Sequence, residues 1–407
     1  MSLYRPNIRM ANSFRSGRVF LVGDAGHAHP PAGAQGMNTS VQDSLSLAWK
    51  LNLVVKGLAS SELLESYTEE RIPVVAEMLN LSTEYLDKAL NQCPGEGGEW
   101  SRDGALHQLG INYRWSSIVL SDSGCKKTPP IDSYGRVATD VLQPGDRAPD
   151  SSGICLVETR AAIPLVISRL SDVYKTTHHT VVIFTGVVDA KTVLMELSRY
   201  SGVLIQTVAV VPSEGSTSGS LPSTVDFVFT DTDGRVSQTY TEEGSGLIIK
   251  GVFHDAVPQQ KQPSFIKASE QRTVTQINSI NRTLKSIEAN HLARIAACPP
   301  VLIVGSGPSG LVLALTLAKN GIPVPIIENQ KQPPVGQRRA GIQPRSLELF
   351  DRFGLIHKIM DEAAPMIAMR KYKLNSTEVL HNAIAVPHRE VTLTTPITIL
   401  LFSVKTT

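Results

Sequence analysis

The chain has 407 residues, of which 42% are hydrophobic and 19% are charged, and its formal net charge at pH 7 is +2. At about 100–200 residues per domain, this length predicts two or three domains with sizeable cores. A near-neutral balance without a dense basic stripe argues against a nucleic-acid partner. The four cysteines form no C-x-x-C pair and no metal-ligand cluster, which predicts a reducing compartment and no metal site. No apolar run reaches the roughly 18 residues of a membrane span, so we expect a cytoplasmic protein without a membrane partner.

The N-terminal segment, residues 1–92, begins with an apolar strand that ends in Gly23 and Asp24. A carboxylate in this position can accept a hydrogen bond from a ribityl or ribose hydroxyl. A loop rich in proline and glycine follows, and then a helix whose N-cap we expect at Thr39 or Ser40. The free N–H groups at its start would face the loop and suit negative charge on a bound group.

The middle of the chain is predicted to form a connection, residues 93–139, and a compact domain, residues 140–254. Apolar runs predict buried strands at residues 181–184, 204–211 and 227–229. Helical periodicity is present at residues 161–174 and 191–200. This alternation of strand and helix predicts a small α/β layer.

Residues 255–299 are predicted to be a polar linker that contains one amphipathic helix. The apolar residues of that helix recur at spacings of three and four, and they are Ile277, Ile280, Leu284 and Ile287. A dimerisation coil would need several more heptads.

The C-terminal segment, residues 300–360, carries a glycine motif between an apolar strand and a helix. The motif consists of Gly305, Ser306, Gly307, Pro308, Ser309 and Gly310. In this motif the first glycine permits a tight turn, the second lets a pyrophosphate approach, and the third allows close helix packing. A second strand follows the helix and ends in Glu328, whose carboxylate suits the two ribose hydroxyls of an adenosine. The alternative is a βαβ unit that binds no nucleotide.

Two stretches of the chain resemble class A FAD-dependent aromatic monooxygenases of the phenol hydroxylase type. One is GRVFLVGDAGHAHPPAGAQGMNT, which starts at Gly17, and the other is GQRRAGIQPRSLELF, which starts at Gly336. The resemblance implies FAD as the cofactor. It implies FAD contacts from Asp24, Pro31, Gly33, Gly36, Met37, Asn38, Arg339 and Gln343. We leave Arg345 and Glu348 out of the site, because a pair three residues apart is common on a solvated helix face.

Residues 140–254 resemble the thioredoxin-like C-terminal domain of the same enzymes. Because a C-x-x-C pair is absent, this domain is expected to support packing or a homodimer rather than redox chemistry. The expected fold is therefore α/β, with a FAD-binding Rossmann-type (GxGxxG) fold split between the two ends of the chain and a thioredoxin-like α/β domain between them.

The resemblance also implies an unusual order of segments. In these monooxygenases the glycine motif begins the chain and the Gly-Asp motif follows, with a substrate-covering segment between them. Here the order is reversed, the substrate segment has no counterpart, and residues 361–407 read as a truncated tail. Gly341 stands where phenol hydroxylases place an aspartate, so no catalytic base is assigned. Either a fusion of two neighbouring gene fragments or a circular permutation with a deletion explains this order, and fusion needs fewer events.

The resemblance implies an NADPH-dependent monooxygenase. In this reaction NADPH reduces FAD, O2 forms a flavin C4a-hydroperoxide, and a hydroxyl group is transferred to a small phenolic or aromatic substrate. One alternative is a non-catalytic remnant of a fused gene that binds flavin or dimerises. The other is a nicotinamide-dependent dehydrogenase built on the C-terminal βαβ unit alone.

Overall fold

The computed structural model describes the terminal segments and the central sheet, with gaps between them. The described residues are 7–30, 33–91, 104–119, 131–136, 142–150, 153–160, 167–186, 189–198, 204–213, 224–240, 247–250, 300–330, 341–363, 369–372, 379–383 and 400–401.

The N-terminal segment folds as short strands followed by two long helices. The strands are β1 (Arg9–Met10), β2 (Arg15–Ser16), β3 (Val19–Phe20) and β4 (His27–Ala28). Strand β1 pairs with β4 and β2 pairs with β3, both antiparallel. The helices are α1 (Gly36–Val55) and α2 (Glu65–Asn91). Single 3-10 turns are present at Gly23–Ala25, Ser61–Leu64 and Gly104–His107. No helix among the described residues is long and apolar enough to cross a membrane.

Helix α1 begins at Gly36, so the predicted N-cap role of Thr39 or Ser40 is wrong. Ser40 Oγ donates to the carbonyl oxygen of Gly36 at 2.8 Å, and Asn38 Nδ2 donates to that of Ala34 at 2.6 Å. These side-chain bonds support helical backbone one turn earlier than the sequence pattern predicts. The N-terminal N–H groups of α1 therefore lie closer to the proline-rich loop.

The middle of the chain contains a five-stranded mixed sheet, which confirms the predicted α/β layer. Its strands are β5 (Ile154–Thr159), β6 (His179–Phe184), β7 (Ile205–Pro212), β8 (Phe227–Asp231) and β9 (Leu247–Lys250). Their order is β5-β8-β7-β6-β9, with the three inner strands parallel and both edge strands antiparallel. Helices α3 (Ala190–Leu197) and α4 (Arg235–Tyr240) contribute to apolar clusters on opposite faces. The likeness to thioredoxin stays a prediction.

The predicted helix at residues 161–174 is wrong over its described part. That part contains a 3-10 turn, Leu170–Val173, and no α-helix. The carboxylate of Asp172 accepts hydrogen bonds from the N–H groups of Ser168 at 3.1 Å and Arg169 at 3.0 Å, and such local bonds compete with helical ones. Residues 161–166 and the predicted linker helix at 277–287 lie outside the described residues.

The C-terminal segment contains the predicted succession of strand, helix and strand, with shorter strands than expected. These elements are β10 (Ile303–Val304), α5 (Pro308–Lys319) and β11 (Ile326–Ile327), and the two strands pair in parallel. The remaining elements are β12 (Gly341–Ile342), α6 (Pro344–Asp351), α7 (Ile356–Glu362), β13 (Met369–Tyr372), β14 (Val379–Ala383) and β15 (Leu400–Leu401). Strand β12 pairs with β15 and β13 pairs with β14, both antiparallel.

The two ends of the chain share one hydrophobic core. Leu47 of α1 belongs to the same buried cluster as Leu313 and Leu317 of α5. A second cluster joins Val41 of α1 to Leu349 of α6. Because these residues are more than 250 positions apart, the N-terminal helices and the C-terminal βαβ unit fold as one packed body.

We expect Leu317→Ala to lower the free energy of unfolding by about 2–5 kcal/mol, because the side chain is fully buried and its loss leaves a cavity. Leu311→Ala, on the same helix but 51% exposed, is the matched control and should change stability by less than about 0.5 kcal/mol. Urea denaturation of the full chain measures both. Equally small losses in both variants would contradict the shared core.

Candidate functional site

The glycine loop between β10 and α5 has the geometry that its three glycines predict. Gly305 has φ of +103°, a backbone conformation that disfavours any residue with a side chain. A methyl group on Gly310 would overlap the carbonyl oxygen of Gly305, so this glycine lets the helix start close to the strand. Gly307 has an ordinary φ of −67°, and no heavy atom lies within 4 Å of a methyl group built there. The space in front of Gly307 is therefore open.

Glu328 lies at the end of β11 and faces this loop. Its Oε2 accepts hydrogen bonds from the N–H of Ser306 at 2.8 Å and from Ser306 Oγ at 2.7 Å, while Oε1 accepts from the N–H of Gln330 at 2.8 Å. The bonds from Gln330 and Ser306 lower the pKa of this exposed carboxyl to about 2. Glu328 is therefore an ionised hydrogen-bond acceptor at any ordinary pH.

The Gly23–Asp24 turn meets the glycine loop directly. Gly23 has φ of +60°, and a methyl group there would overlap Ser309 Oγ and lie 2.8 Å from Ser40 Oγ. Ser44 Oγ of α1 also donates to the carbonyl oxygen of Ser309 at 2.9 Å. Asp24 lies beside this contact on an exposed 3-10 turn. The structure thus brings both predicted motifs, and the N-terminal ends of α1 and α5, to one place.

The proline-rich loop and the start of α1 are joined to β12 by three hydrogen bonds. Asn38 Nδ2 donates to the carbonyl of Gly341 at 3.1 Å, and the N–H of Gln343 donates to Asn38 Oδ1 at 2.8 Å. Gln343 Nε2 donates to the carbonyl of Gly33 at 2.8 Å. Asn38 and Gln343 are both fully buried. Among the other predicted contacts, Met37 is half-buried in the first turn of α1, whereas Pro31 and Arg339 lie outside the described residues.

Gly36 begins α1 beneath a histidine ring. A methyl group on Gly36 would overlap the His29 imidazole. Helix α1 can therefore begin this close to the loop only because residue 36 has no side chain. His29 Nδ1 lies 2.8 Å from the carbonyl oxygen of Pro30, which holds the ring in place.

A buried ionic network behind the turn was missed by the sequence analysis. Asp43 Oδ2 accepts from the N–H of Gly23 at 3.2 Å and lies 2.9 Å from His27 Nε2, while Oδ1 accepts from Arg71 Nε at 2.7 Å. Burial alone would raise the pKa of Asp43, but Arg71 and His27 more than offset it, so the pKa lies below its ordinary value. The Gly23 backbone is therefore anchored to a buried carboxylate.

Arg71 links this network to Tyr113 and to the first turn of α1. Its guanidinium donates to Tyr113 Oη at 2.6 Å and to the carbonyl of Thr39 at 3.3 Å, and its side chain is fully buried. Asp43 lies on α1 among buried apolar residues such as Val41, Leu45 and Leu47, and Arg71 lies on α2 close to the buried Tyr67 and Val74. A charged residue at a core-facing position is the signal that could have identified the pair.

The interpretation of Arg345 and Glu348 as a solvated helix pair is wrong. Arg345 donates to Glu348 at 2.7 Å, but its side chain is only 1% exposed. Glu348 also pairs with Arg147, at 3.1 Å, across the boundary to the middle domain. These residues therefore help to join α6 to residues 142–150, which precede the sheet.

Removal of Arg71 should be strongly destabilising, because it leaves Asp43 buried without its cation. We expect Arg71→Met to lower the free energy of unfolding at pH 7 by about 3–5 kcal/mol in urea denaturation. Arg136→Met removes the more exposed pair with Glu77 and should cost less than about 1 kcal/mol.

The pH dependence gives a second readout of the same pair. Because the pKa of folded Asp43 is lowered, the stability it contributes is present above its unfolded pKa and is lost as the pH falls through its folded pKa. The difference between wild type and Arg71→Met should therefore shrink in acid. A difference that grows in acid would contradict the ionic network.

Comparisons with known proteins find a family match in the two terminal segments of the chain. Residues 1–82 and 299–398 match the family described as FAD binding domain. A flavin-dependent monooxygenase of Mycobacteroides abscessus is 42% identical over 184 residues, which cover 45% of this chain and 32% of that protein. Pentachlorophenol 4-monooxygenase of Sphingobium chlorophenolicum is 28% identical over 256 residues, which cover 58% and 41%. A solved ternary complex of aklavinone-11 hydroxylase with FAD and aklavinone has a TM-score of 0.48 and 23% identity, covering 68% of this chain and 45% of that one. The chain thus spans less than half the length of each of these proteins.

Proposed function

We propose that this chain is a relative of class A FAD-dependent aromatic monooxygenases and that its two terminal segments bind one FAD molecule between them. The observation that carries this proposal is the contact of Gly23 with Ser309, because it places the Gly-Asp turn beside the glycine loop. A single extended dinucleotide needs both motifs within one groove.

The residues at the adenosine end fit the cofactor. Open space in front of Gly307 admits the pyrophosphate, and the N-terminus of α5, from Pro308, directs its N–H groups and positive dipole end towards that negative charge. Glu328 binds the adenosine ribose. We extend the proposal to Ser309 and Gly310 of the loop and to Arg339 as further FAD contacts, and to Ser306 through its hydrogen bonds to Glu328.

The flavin end uses the N-terminal segment. Asp24 accepts from the ribityl chain, and the isoalloxazine lies against Pro31, Gly33, Gly36, Met37 and Asn38. Gln343 Oε1 is buried without a partner among the described residues, so an acceptor remains there for a bound group. The N-terminal end of α1 stabilises negative charge on the reduced ring.

The proposed activity is NAD(P)H-dependent hydroxylation of a small phenolic or aromatic substrate with O2. When bound, FAD supplies the redox chemistry, accepting electrons from the nicotinamide and activating O2 at its C4a position for oxygen transfer. The chain's own residues hold and orient the cofactor. The name of the Sphingobium relative, a pentachlorophenol monooxygenase, supports a phenolic substrate. A cytoplasmic location, a homodimer through residues 140–254 and the permuted order of the segments belong to the same proposal.

Two alternatives lead to different outcomes in binding experiments. A non-catalytic remnant would bind flavin without oxidising NADPH, or would purify without flavin. A nicotinamide-dependent dehydrogenase would bind NADPH without FAD. The Gly23–Ser309 contact favours FAD, because a site for nicotinamide alone does not require the N-terminal turn.

Gly307→Val should abolish FAD binding while leaving the fold intact. The residue has an ordinary φ and open space around it, so the added side chain meets the ligand and not the protein. We expect at least a hundredfold weaker binding in fluorescence titration, and a change in unfolding free energy of no more than about 1 kcal/mol. Asp24→Ala tests the other segment and should also weaken binding. If either variant binds FAD like wild type, the other segment suffices alone and the shared site is wrong.

Catalysis is tested by NADPH oxidation with loaded protein. Because no substrate-covering segment is recognised in the sequence, we expect most electrons from NADPH to reduce O2 to H2O2, with NADPH converted to NADP+, even when phenols are present. Oxygen-electrode traces with and without catalase measure this uncoupling. Absence of NADPH oxidation in protein that holds FAD would favour the non-catalytic remnant.

A further inference from the structure

The carboxylate of Glu328, which we propose binds the adenosine ribose, already accepts several hydrogen bonds from the protein. A carboxylate offers about four acceptor positions. Glu328 uses three of them for the N–H and Oγ of Ser306 and the N–H of Gln330, all at 2.7–2.8 Å. At most one position remains, because the N–H of Asn329 also interacts with this carboxylate, whereas a ribose with two free hydroxyls presents two donors.

We propose that Ser306 is a specificity-determining residue that limits recognition of the ribose by occupying one acceptor position of Glu328. The inference rests on the proposed nucleotide site. In wild-type protein Glu328 binds one ribose hydroxyl, and the second hydroxyl competes with the serine. The serine therefore reduces both the affinity for the adenosine end and the discrimination against nucleotides that lack one hydroxyl.

Of the three hydrogen bonds to Glu328, the one from the Ser306 hydroxyl can break most easily, because the other two donors are backbone N–H groups. The N–H of Gly305 donates to the carbonyl of Ile327 at 2.8 Å, and Val304 lies in register with Ile327. These bonds hold the loop backbone against the end of β11, so the Ser306 N–H stays on Glu328. The hydroxyl needs only a rotation about χ1 to leave.

Removal of the hydroxyl should leave the loop unchanged. Ser306→Ala keeps both backbone bonds to Glu328 and frees one acceptor position. Ser306→Thr keeps a hydroxyl in the same place and is the matched control. Because Glu328 stays ionised down to about pH 2, a comparison at pH 7 is not affected by its titration.

The experiment compares ADP with 2′-deoxy-ADP in titration calorimetry of the full chain. Wild type and Ser306→Thr should bind the two nucleotides with similar affinity, because only one acceptor position is available. Ser306→Ala should bind ADP about three- to tenfold more tightly than wild type does, the gain expected for one hydrogen bond, and bind 2′-deoxy-ADP unchanged. In a Glu328→Ala background, Ser306→Ala should have no effect on either nucleotide.

The outcomes separate this inference from the proposed function. If wild type binds ADP and Ser306→Ala binds ADP equally or more weakly, or binds both nucleotides more tightly by the same factor, Ser306 does not compete with the ribose. If wild type binds neither ADP nor FAD, the nucleotide site itself is absent and the proposed function fails first.

Discussion

The close contact between Gly23 and Ser309 is the constraint on which the arrangement of this protein depends. It requires a residue with positive φ and no side chain at one end of the chain, and the first turn of a helix at the other. Ser44 Oγ donates a hydrogen bond to the carbonyl oxygen of Ser309, and α1 and α5 also share a buried apolar cluster. Two segments that are far apart in sequence therefore bring the N-terminal ends of α1 and α5 close together.

The two parts of the proposed FAD site are held in different ways. At its proposed flavin end the supporting side chains are buried, and Asp43 connects the Gly23 backbone to Arg71. A buried pair of this kind contributes little net stability, yet it is costly to break, so it fixes the position of the turn. At the proposed adenosine end Glu328 is exposed, and its carboxylate accepts hydrogen bonds from Ser306. The Gly23 turn is therefore positioned by buried side chains, and the Glu328 carboxylate by hydrogen bonds at the surface.

Much of the fold was predictable from local signals, and the joining of its parts was not. Apolar periodicity identified α1, α5 and the inner strands of the sheet, because those segments bury regular apolar faces. The start of α1 was misplaced, since Ser40 bonds back into the helix where the pattern suggested a cap. The glycine roles at Gly305 and Gly310 followed from the motif. The Asp43–Arg71 and Arg147–Glu348 pairs were missed, because the pattern of a single helix does not identify a partner more than twenty residues away.

Hydrogen–deuterium exchange of the full chain, with and without FAD, tests the central claim most directly. We expect FAD to slow amide exchange in peptides covering residues 23–38 and in peptides covering residues 305–310, with the same dependence on FAD concentration. Equal midpoints would mean one ligand bridging both segments. Protection confined to one of the two segments, with the other exchanging as in the free protein, would contradict a shared cofactor site.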